Sequence, residues 1–184
     1  MADKPIITPA ALRELLTYDP ETGELRWKER HVSLFRDDAR WSAEQSCQRW
    51  NTRYADKPAF TAISTGYRVG RLRGRNYLAH RVIWALVYQE WPPELIDHID
   101  NNRINNRLSN LRRASESQNR VNTHKRSDNS SGYKGVWWKP NSKRWVAEIH
   151  MNRTKYRLGM FKTAKEAADA YCDAAKRLHG EFAK

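Results

Sequence analysis

The segment from Ile96 to Asn119 places a carboxylate beside an imidazole in a stretch rich in asparagine, IDHIDNNRINNRLSNLRRASESQN. Hydrolysis of a phosphodiester needs a base that deprotonates water and a divalent cation that offsets charge on the phosphate. His98 is a suitable base, and Asp97 is a suitable ligand for the cation. The pair therefore predicts metal-dependent hydrolysis, although an isolated Asp-His pair more often forms a surface turn or a helix cap.

A second metal ligand has to come from another element. Asn119 lies 22 residues after Asp97, on a helix that the sequence predicts to begin near Ser115. Carboxylate and amide oxygens with waters suit a hard ion, so we expect Mg²⁺, with Mn²⁺ as the alternative. Neighbouring side chains on a strand point to opposite faces, so a bend or bulge must bring Asp97 and His98 together.

Other polar residues around the pair have structural interpretations. Short polar side chains satisfy backbone groups in loops, so we expect turn and capping roles rather than metal binding for Asp100, Asn101, Asn102, Asn105 and Asn106. A structural role is also expected for His80. Three arginines either bind the scissile phosphate or coat a helix, and the sequence leaves both open for Arg81, Arg112 and Arg113.

The elements that must position these residues are short. Apolar spacing and turn dipeptides predict a helix over 7–16, a hairpin strand over 25–28, a basic hairpin over 66–77 and a helix over 79–91. Residues 30–62 have a mixed pattern and are not assigned. Farther on, three alternating runs predict a meander, and Thr163 with Glu166 predicts the capping box of a following helix.

The composition favours two small modules and a polyanionic partner. The chain has 184 residues, a formal net charge of +13 and a pI near 10, which surround it with a positive field. Cys47 and Cys172 lie far apart and no zinc-ligand spacing is present, which favours a reducing compartment. No signal-peptide-like or membrane-spanning apolar run is present, so we expect a cytoplasmic protein with no membrane partner.

The motif resembles the HNH endonucleases of the phage-associated homing type, over about 66–122. AHRVIW precedes DHIDNNRINNRLSNLRRASESQN, and the order and spacing of these residues are those of that family. The resemblance implies a ββα-metal fold in which Asp97 binds the metal, His98 is the general base and Asn119 is the second ligand. It also implies that Asn110 pins the loop between strand and helix, and that the protein is phage-encoded and acts in the host cell.

Two positions depart from the common pattern. Asn101 stands where glycine is frequent, but asparagine tolerates positive φ. Asn119 replaces the histidine of many HNH enzymes, and the loss of a nitrogen ligand weakens the case for zinc or nickel.

The C-terminal segment resembles the ethylene-response-factor (APETALA-two) DNA-binding domain. YKGV, W-x-AEI, LGMF and EAADAY carry the likeness. In that family a three-stranded sheet lies in the major groove, which implies DNA contacts at Lys134, Trp137, Lys139, Trp145, Glu148, His150 and Arg157. Alternation leaves open which face of the strand at 144–150 packs on the helix. At least one of Trp137, Trp138 and Trp145 is expected to belong to the core.

The sequence thus predicts an α+β protein with a ββα-metal nuclease core and a small three-stranded antiparallel sheet packed by one helix. The expected divisions are a DNA-contacting or supporting region at 1–62, the core at 63–122, a basic linker at 123–132 and the reader domain at 133–184. We expect a monomeric endonuclease that nicks double-stranded DNA at chosen sites and has no small-molecule substrate. The alternatives are a non-catalytic DNA-binding regulator and a nonspecific nuclease.

Overall fold

Short helices alternate with small antiparallel sheets along the chain, which is the mixed α+β class that the sequence predicts. The computed structural model describes residues 7–122, 129–151 and 154–182. These form two compact units, divided between Arg112 and Arg113. The predicted linker at 123–132 lies largely outside the described residues, and the predicted domain bounds stay predictions.

The first unit begins with a helix and a hairpin. Helix α1 (Pro9–Leu15) starts where Thr8 Oγ1 accepts a hydrogen bond from the Ala11 N–H at 3.2 Å, as its capping pattern predicts. Strands β1 (Leu16–Asp19) and β2 (Glu24–Trp27) form the predicted hairpin, and β3 (Pro58–Ala59) joins its edge.

The unassigned region contains one regular helix, α2 (Ala43–Tyr54). A capping box between Ser42 and Gln45 fixes its start. None of its residues is buried, so it lacks the apolar stripe by which sequence periodicity identifies a helix. A 3-10 turn precedes it at Val32–Leu34.

The second sheet of this unit carries the predicted basic hairpin. Strands β4 (Ala62–Ser64), β5 (Tyr67–Leu72) and β6 (Arg75–Leu78) form it in that order. Helix α3 (Ala79–Tyr88) follows and is buried along most of its length. The core of the unit lies between α1, α3 and the sheets, with fully buried side chains at Leu12, Leu16, Val82 and Ile83. The hairpin and the helix are both confirmed.

The Asp-His motif lies at the end of one strand, which is followed along the chain by a second strand and a helix. Strand β7 (Leu95–His98) pairs with β8 (Leu111–Ala114), and a loop ending in a 3-10 turn at Leu108–Asn110 joins them. Helix α4 (Glu116–Asn122) begins just after Ser115, whose Oγ accepts from the Gln118 N–H at 3.2 Å. The predicted helix start is confirmed.

The second unit contains the predicted meander and helix. Strands β9 (Val136–Lys139), β10 (Arg144–Met151) and β11 (Thr154–Phe161) form an antiparallel sheet in the order β11-β10-β9. Helix α5 (Ala164–His179) starts at the predicted capping box of Thr163 and Glu166. The predicted turn at 152–154 lies mostly outside the described residues.

The face of β10 that packs on α5 is the one carrying Ala147 and Ile149. Ala147 packs with Val136 and Ala167, and Ile149 packs with Tyr171. This settles the choice that alternation left open. Over the described residues, no helix has both the length and the apolar character needed to cross a membrane.

Candidate active site

Asp97 and His98 lie at the end of β7, and each is only 4% exposed. Asp97 Oδ2 accepts a hydrogen bond from Arg112 Nε at 3.0 Å in an ion pair whose two side chains are both largely buried. Arg112 therefore does more than coat a surface. Its fixed guanidinium plane orients the carboxylate and offsets its negative charge in a buried setting.

The imidazole of His98 is held by an asparagine that the sequence interpretation assigned to a turn. His98 Nε2 lies 3.1 Å from Asn106 Oδ1, and Asn106 is 1% exposed. An amide oxygen only accepts, so Nε2 carries the proton and the lone pair of neutral His98 falls on Nδ1. Asn106 is thus the site residue that sequence reasoning missed. Nothing in the sequence separates it from its neighbouring asparagines.

Aromatic rings pack around the His98 ring. The Tyr67 ring centroid lies 5.9 Å from that of His98, and the His80 ring meets His98 edge-on at 5.1 Å. Burial lowers the pKa of His98, while the Asn106 hydrogen bond and the carboxylates of Asp100 and Asp97 act in the opposite direction.

His80 itself is buried, and burial together with the neighbouring His98 and Arg81 lowers its pKa to about 3. It is neutral at ordinary pH and packs against His98. This placement agrees with the structural role expected from the sequence.

The loop between β7 and β8 is held by its own short polar side chains. Asn110 Oδ1 accepts from the Asp100 N–H at 3.0 Å, and Asn110 Nδ2 donates to Asp100 Oδ1 at 2.9 Å and to the Asn105 carbonyl at 2.8 Å. Asn101 has φ 64°, which asparagine accommodates. Partial desolvation acts to raise the pKa of Asp100. The hydrogen bonds donated by Asn105, Asn102 and Asn110 outweigh this effect, so the pKa is lowered from its usual value. The network fixes the path of the chain between the two strands.

The β1–β2 hairpin supports this loop from outside. The Tyr18 hydroxyl donates to the Asn106 carbonyl at 3.0 Å, and Arg107 Nε donates to the Glu21 carbonyl at 2.5 Å. Gly23, at φ 76°, lies so close that a Cβ there would be 2.6 Å from the Arg107 nitrogen. Burial raises the pKa of Tyr18 to about 12. The residue that holds His98 is therefore itself held by the hairpin.

Asn119 lies on α4 in the second compact unit. It is half-buried, and its N–H donates to the Ser115 carbonyl at 2.9 Å. Within the described ranges, no group of three or more His, Cys, Asp and Glu side chains is placed to hold a metal. The predicted ligand pair of Asp97 and Asn119 stays a prediction.

The other predicted phosphate ligands differ in their surroundings. Arg81 donates to the carbonyls of Pro92 at 2.9 Å and Glu94 at 3.1 Å, so it fixes the segment that leads into β7. Arg113 is exposed on β8. Phosphate binding by either residue stays a prediction.

The predicted DNA contacts of the C-terminal sheet fall into two sets. Trp145 packs against the cluster of Val136 and Ala147 on the side of α5, so it is the tryptophan that belongs to the core. Glu148 is buried, with its Oε1 2.8 Å from Lys155 Nζ. The exposed candidates are Trp137, His150 and Arg157, and the half-buried ones are Lys134 and Lys139. DNA contact at these seven positions stays a prediction.

Comparison with protein families finds two separate matches. The HNH endonuclease family matches residues 77–121, which contain β7, β8 and most of α4. The AP2 domain family matches residues 131–181, which contain the three-stranded sheet and α5. No solved structure is significantly similar to the chain.

Relatives of the two regions are of different kinds. An uncharacterized HNH endonuclease, L560 of Acanthamoeba polyphaga mimivirus, is 36% identical over 65% of this chain and 62% of its own length. Protein 3.8 of Escherichia phage T7 is 32% identical over 48% of this chain and 73% of its own length. An AP2/ERF and B3 domain-containing transcription repressor, TEM1 of Arabidopsis thaliana, is 41% identical over 37% of this chain and 19% of its own length.

The chain thus spans less than two thirds of the mimivirus and Arabidopsis relatives but nearly three quarters of the phage protein. The Asp-His pair at the end of β7, its asparagine-rich loop and the two family matches agree with one another. Residues 77–121 are thus similar to HNH endonucleases and residues 131–181 to AP2 domains, and the two regions follow one another in the chain.

Proposed function

We propose that this protein is a metal-dependent DNA endonuclease of phage origin that nicks DNA at chosen sites, as a homing enzyme does. The observation that carries the proposal is the buried Asp97–His98 pair, in which Asn106 holds Nε2 of the histidine. That tautomer places the lone pair of the imidazole on Nδ1, the atom that would take a proton from water. Burial lowers the pKa of His98, which favours the neutral imidazole, the form that acts as a base.

Asp97 and Asn119 would hold the cation, and Mg²⁺ is the expected ion, with Mn²⁺ as the alternative. One carboxylate and one amide oxygen fit a hard divalent cation that keeps several waters. The ion pair with Arg112 at 3.0 Å presets the direction of the Asp97 carboxylate. When bound, the cation supplies positive charge to the scissile phosphate and the departing 3′ oxygen. The succession of β7, β8 and α4 in the matched region supports a ββα-metal arrangement.

Double-stranded DNA is the proposed partner of both regions. The net charge of +13 favours association with a polyanion, and the AP2 family match covers the sheet that bears Trp137 and Arg157. We propose a monomer acting in the cytoplasm of the host. One site per chain then cuts one strand at a time.

Plasmid nicking tests the proposal. Wild-type protein with Mg²⁺ is expected to convert supercoiled plasmid into open circles, and EDTA is expected to stop the reaction. His98→Ala should lower the rate by at least about 100-fold, because general-base catalysis contributes about that much or more. Arg36→Ala, at an exposed position outside the site, is the control and should keep the wild-type rate. Equal rates for wild type and His98→Ala would refute the assignment.

A further inference from the structure

A cleft of about 520 Å³ lies in the first compact unit, apart from the Asp97–His98 pair. This volume is within the range of about 300–1,000 Å³ typical of ligand sites. Its walls come from β2 and the segment after it, from α2, and from the β5–β6 hairpin. Aromatic rings and guanidinium groups dominate the lining, at Trp27, Trp50, Tyr54, Arg30, Arg71 and Arg73. None of the described residues that line the cleft is acidic.

Arg30 is built into this cleft as a half-buried cation. Its guanidinium carbon lies 3.7 Å from the ring centroid of Trp50 and 5.4 Å from that of Trp27. Its Nε is buried and has no hydrogen-bond partner among the described residues. Burial lowers the pKa of the guanidinium, as expected where water is partly excluded. A partly desolvated guanidinium gains more from an anionic ligand than a fully solvated one does.

The backbone around Arg30 is fixed from α2. Asn51 Oδ1 accepts from the Arg30 N–H at 2.9 Å, and Asn51 Nδ2 donates to the Arg30 carbonyl at 2.9 Å. Cys47 Sγ contacts the same carbonyl at 3.2 Å. The cation is therefore positioned before any ligand arrives, which lowers the entropic cost of binding.

The opposite wall adds exposed positive charge. Arg71 and Arg73 are exposed at the β5–β6 turn, and Arg73 has φ 47°. Three guanidinium groups next to flat apolar rings match a ligand that combines a phosphate with a planar ring. A nucleotide has this chemistry, since its base stacks on aromatic side chains and its phosphate accepts bidentate bonds from arginine.

We propose that this cleft binds one unpaired nucleotide of the DNA strand. In an intact duplex the base faces are stacked on their neighbours and are not available to Trp50 or Tyr54, so the nucleotide has to be extrahelical or at a single-stranded junction. The choice of DNA as the source rests on the proposed function. The cationic and aromatic chemistry of the cleft does not depend on the proposed function.

Binding of oligonucleotides tests the proposal without cleavage. Wild-type protein in EDTA is titrated into a labelled duplex with one bulged 2-aminopurine and into the fully paired duplex. We expect about 10-fold tighter binding to the bulged duplex, from stacking and phosphate contacts, and a loss of 2-aminopurine fluorescence as the base stacks. Arg71→Gln/Arg73→Asn is expected to abolish the preference, and asparagine suits the positive φ at position 73. Arg36→Gln, an exposed arginine outside the cleft, should keep it.

Equal affinity of wild type for the two duplexes would overturn the proposal. The proposal would also be overturned if Arg36→Gln and the double variant lowered the preference for the bulged duplex equally. The arginines of the cleft would then contribute only to the overall positive charge. Displacement of the bulged duplex by free deoxyadenosine monophosphate at the same concentration would overturn the assignment to a DNA strand. These affinities are measured in EDTA without cleavage, so equal nicking rates of wild type and His98→Ala would refute the proposed function and leave the result for the cleft unchanged.

Discussion

The acceptor that holds His98 is an amide rather than a carboxylate. A carboxylate on Nε2 would stabilise the imidazolium, whereas the neutral Asn106 oxygen orients the ring with less stabilisation of its charged form. The same hydrogen bond selects the tautomer with its lone pair on Nδ1. Under the proposed function, Asn106 would orient the imidazole base without placing a charge beside it.

Replacing Asn106 tests this arrangement. Asn106→Ala is expected to lower the nicking rate at saturating DNA by about 10- to 100-fold, as removal of groups that orient site residues commonly does. Asn102→Ala changes an exposed asparagine of the same loop whose side chain accepts from the Ile104 N–H, and it should stay near the wild-type rate. Initial rates on supercoiled plasmid measure both. Equal losses in the two variants would point to general loop damage instead.

His80 makes folding stability depend on acidity. Its pKa is about 3 in the folded protein against an ordinary value of 6.5, so between these values the unfolded chain takes up a proton that the folded protein does not. Stability is therefore complete above pH 6.5 and falls as the pH drops toward 3, by up to about 1.4 kcal/mol per pH unit. The free energy of unfolding in urea should fall less between pH 7.5 and pH 5.5 for His80→Phe than for wild type. The same loss in both proteins would contradict this placement of His80.

Among single residues, the sequence predicted Asp97 and His98 from their chemistry and the structural role of His80 from its position. It did not predict Asn106, because the loop contains several asparagines of identical type. Only the burial of one of them beside the imidazole distinguishes it. Side-chain burial in a loop has no periodic signal in a sequence.

Among the elements, the β1–β2 hairpin has the clearest effect on the site. It contacts the loop through Tyr18, Glu21 and Gly23, while the loop contributes Asn106 and Arg107. Turn dipeptides and alternation predicted the hairpin itself. Its contact with a loop more than 80 residues away depends on tertiary packing, which neither signal reports.

A methyl group at Gly23 should disturb that contact. Gly23→Ala places a Cβ 2.6 Å from the Arg107 nitrogen, whereas Gly66→Ala, also at positive φ, meets Arg103 Cδ at an ordinary 3.5 Å. Both variants carry the strain of a left-handed alanine, about 1–3 kcal/mol, and Gly23→Ala should lose at least about 1 kcal/mol more. Urea denaturation gives the difference, and lower nicking activity should accompany the larger loss. Indistinguishable stabilities would argue against close packing at Gly23.

In the whole molecule, two regions that match different families are joined in one basic chain. Composition predicted two modules and the linker at 123–132. The compact units divide between Arg112 and Arg113, inside β8, and the predicted domain bounds stay predictions. Composition marks where the chain is polar, whereas a division into units follows where contacts between segments become few.

The AP2 sheet is expected to contribute electrostatic affinity. Arg157→Ala should weaken DNA binding and reduce the slope of log affinity against log salt by about 0.9, the value for one lost phosphate contact. Arg177→Ala removes an exposed charge from α5, the helix that covers the other face of this sheet, and should change the slope less. Fluorescence anisotropy between 50 and 200 mM salt, roughly the range over which such contacts weaken, measures both. If Arg177→Ala had the larger effect, the helix rather than the sheet would be the DNA-facing side.

The hairpin contacts the asparagine-rich loop largely through main-chain atoms, at the Asn106 carbonyl, the Glu21 carbonyl and the Arg107 nitrogen. Main-chain atoms are the same whatever side chain they carry, so outward positions such as Ile104 can change type at little cost. The number of residues is constrained far more tightly. One inserted or deleted residue between Asp100 and Asn106 would shift every later carbonyl away from its partner, so relatives should differ here by exchange of side chains and keep the loop at constant length.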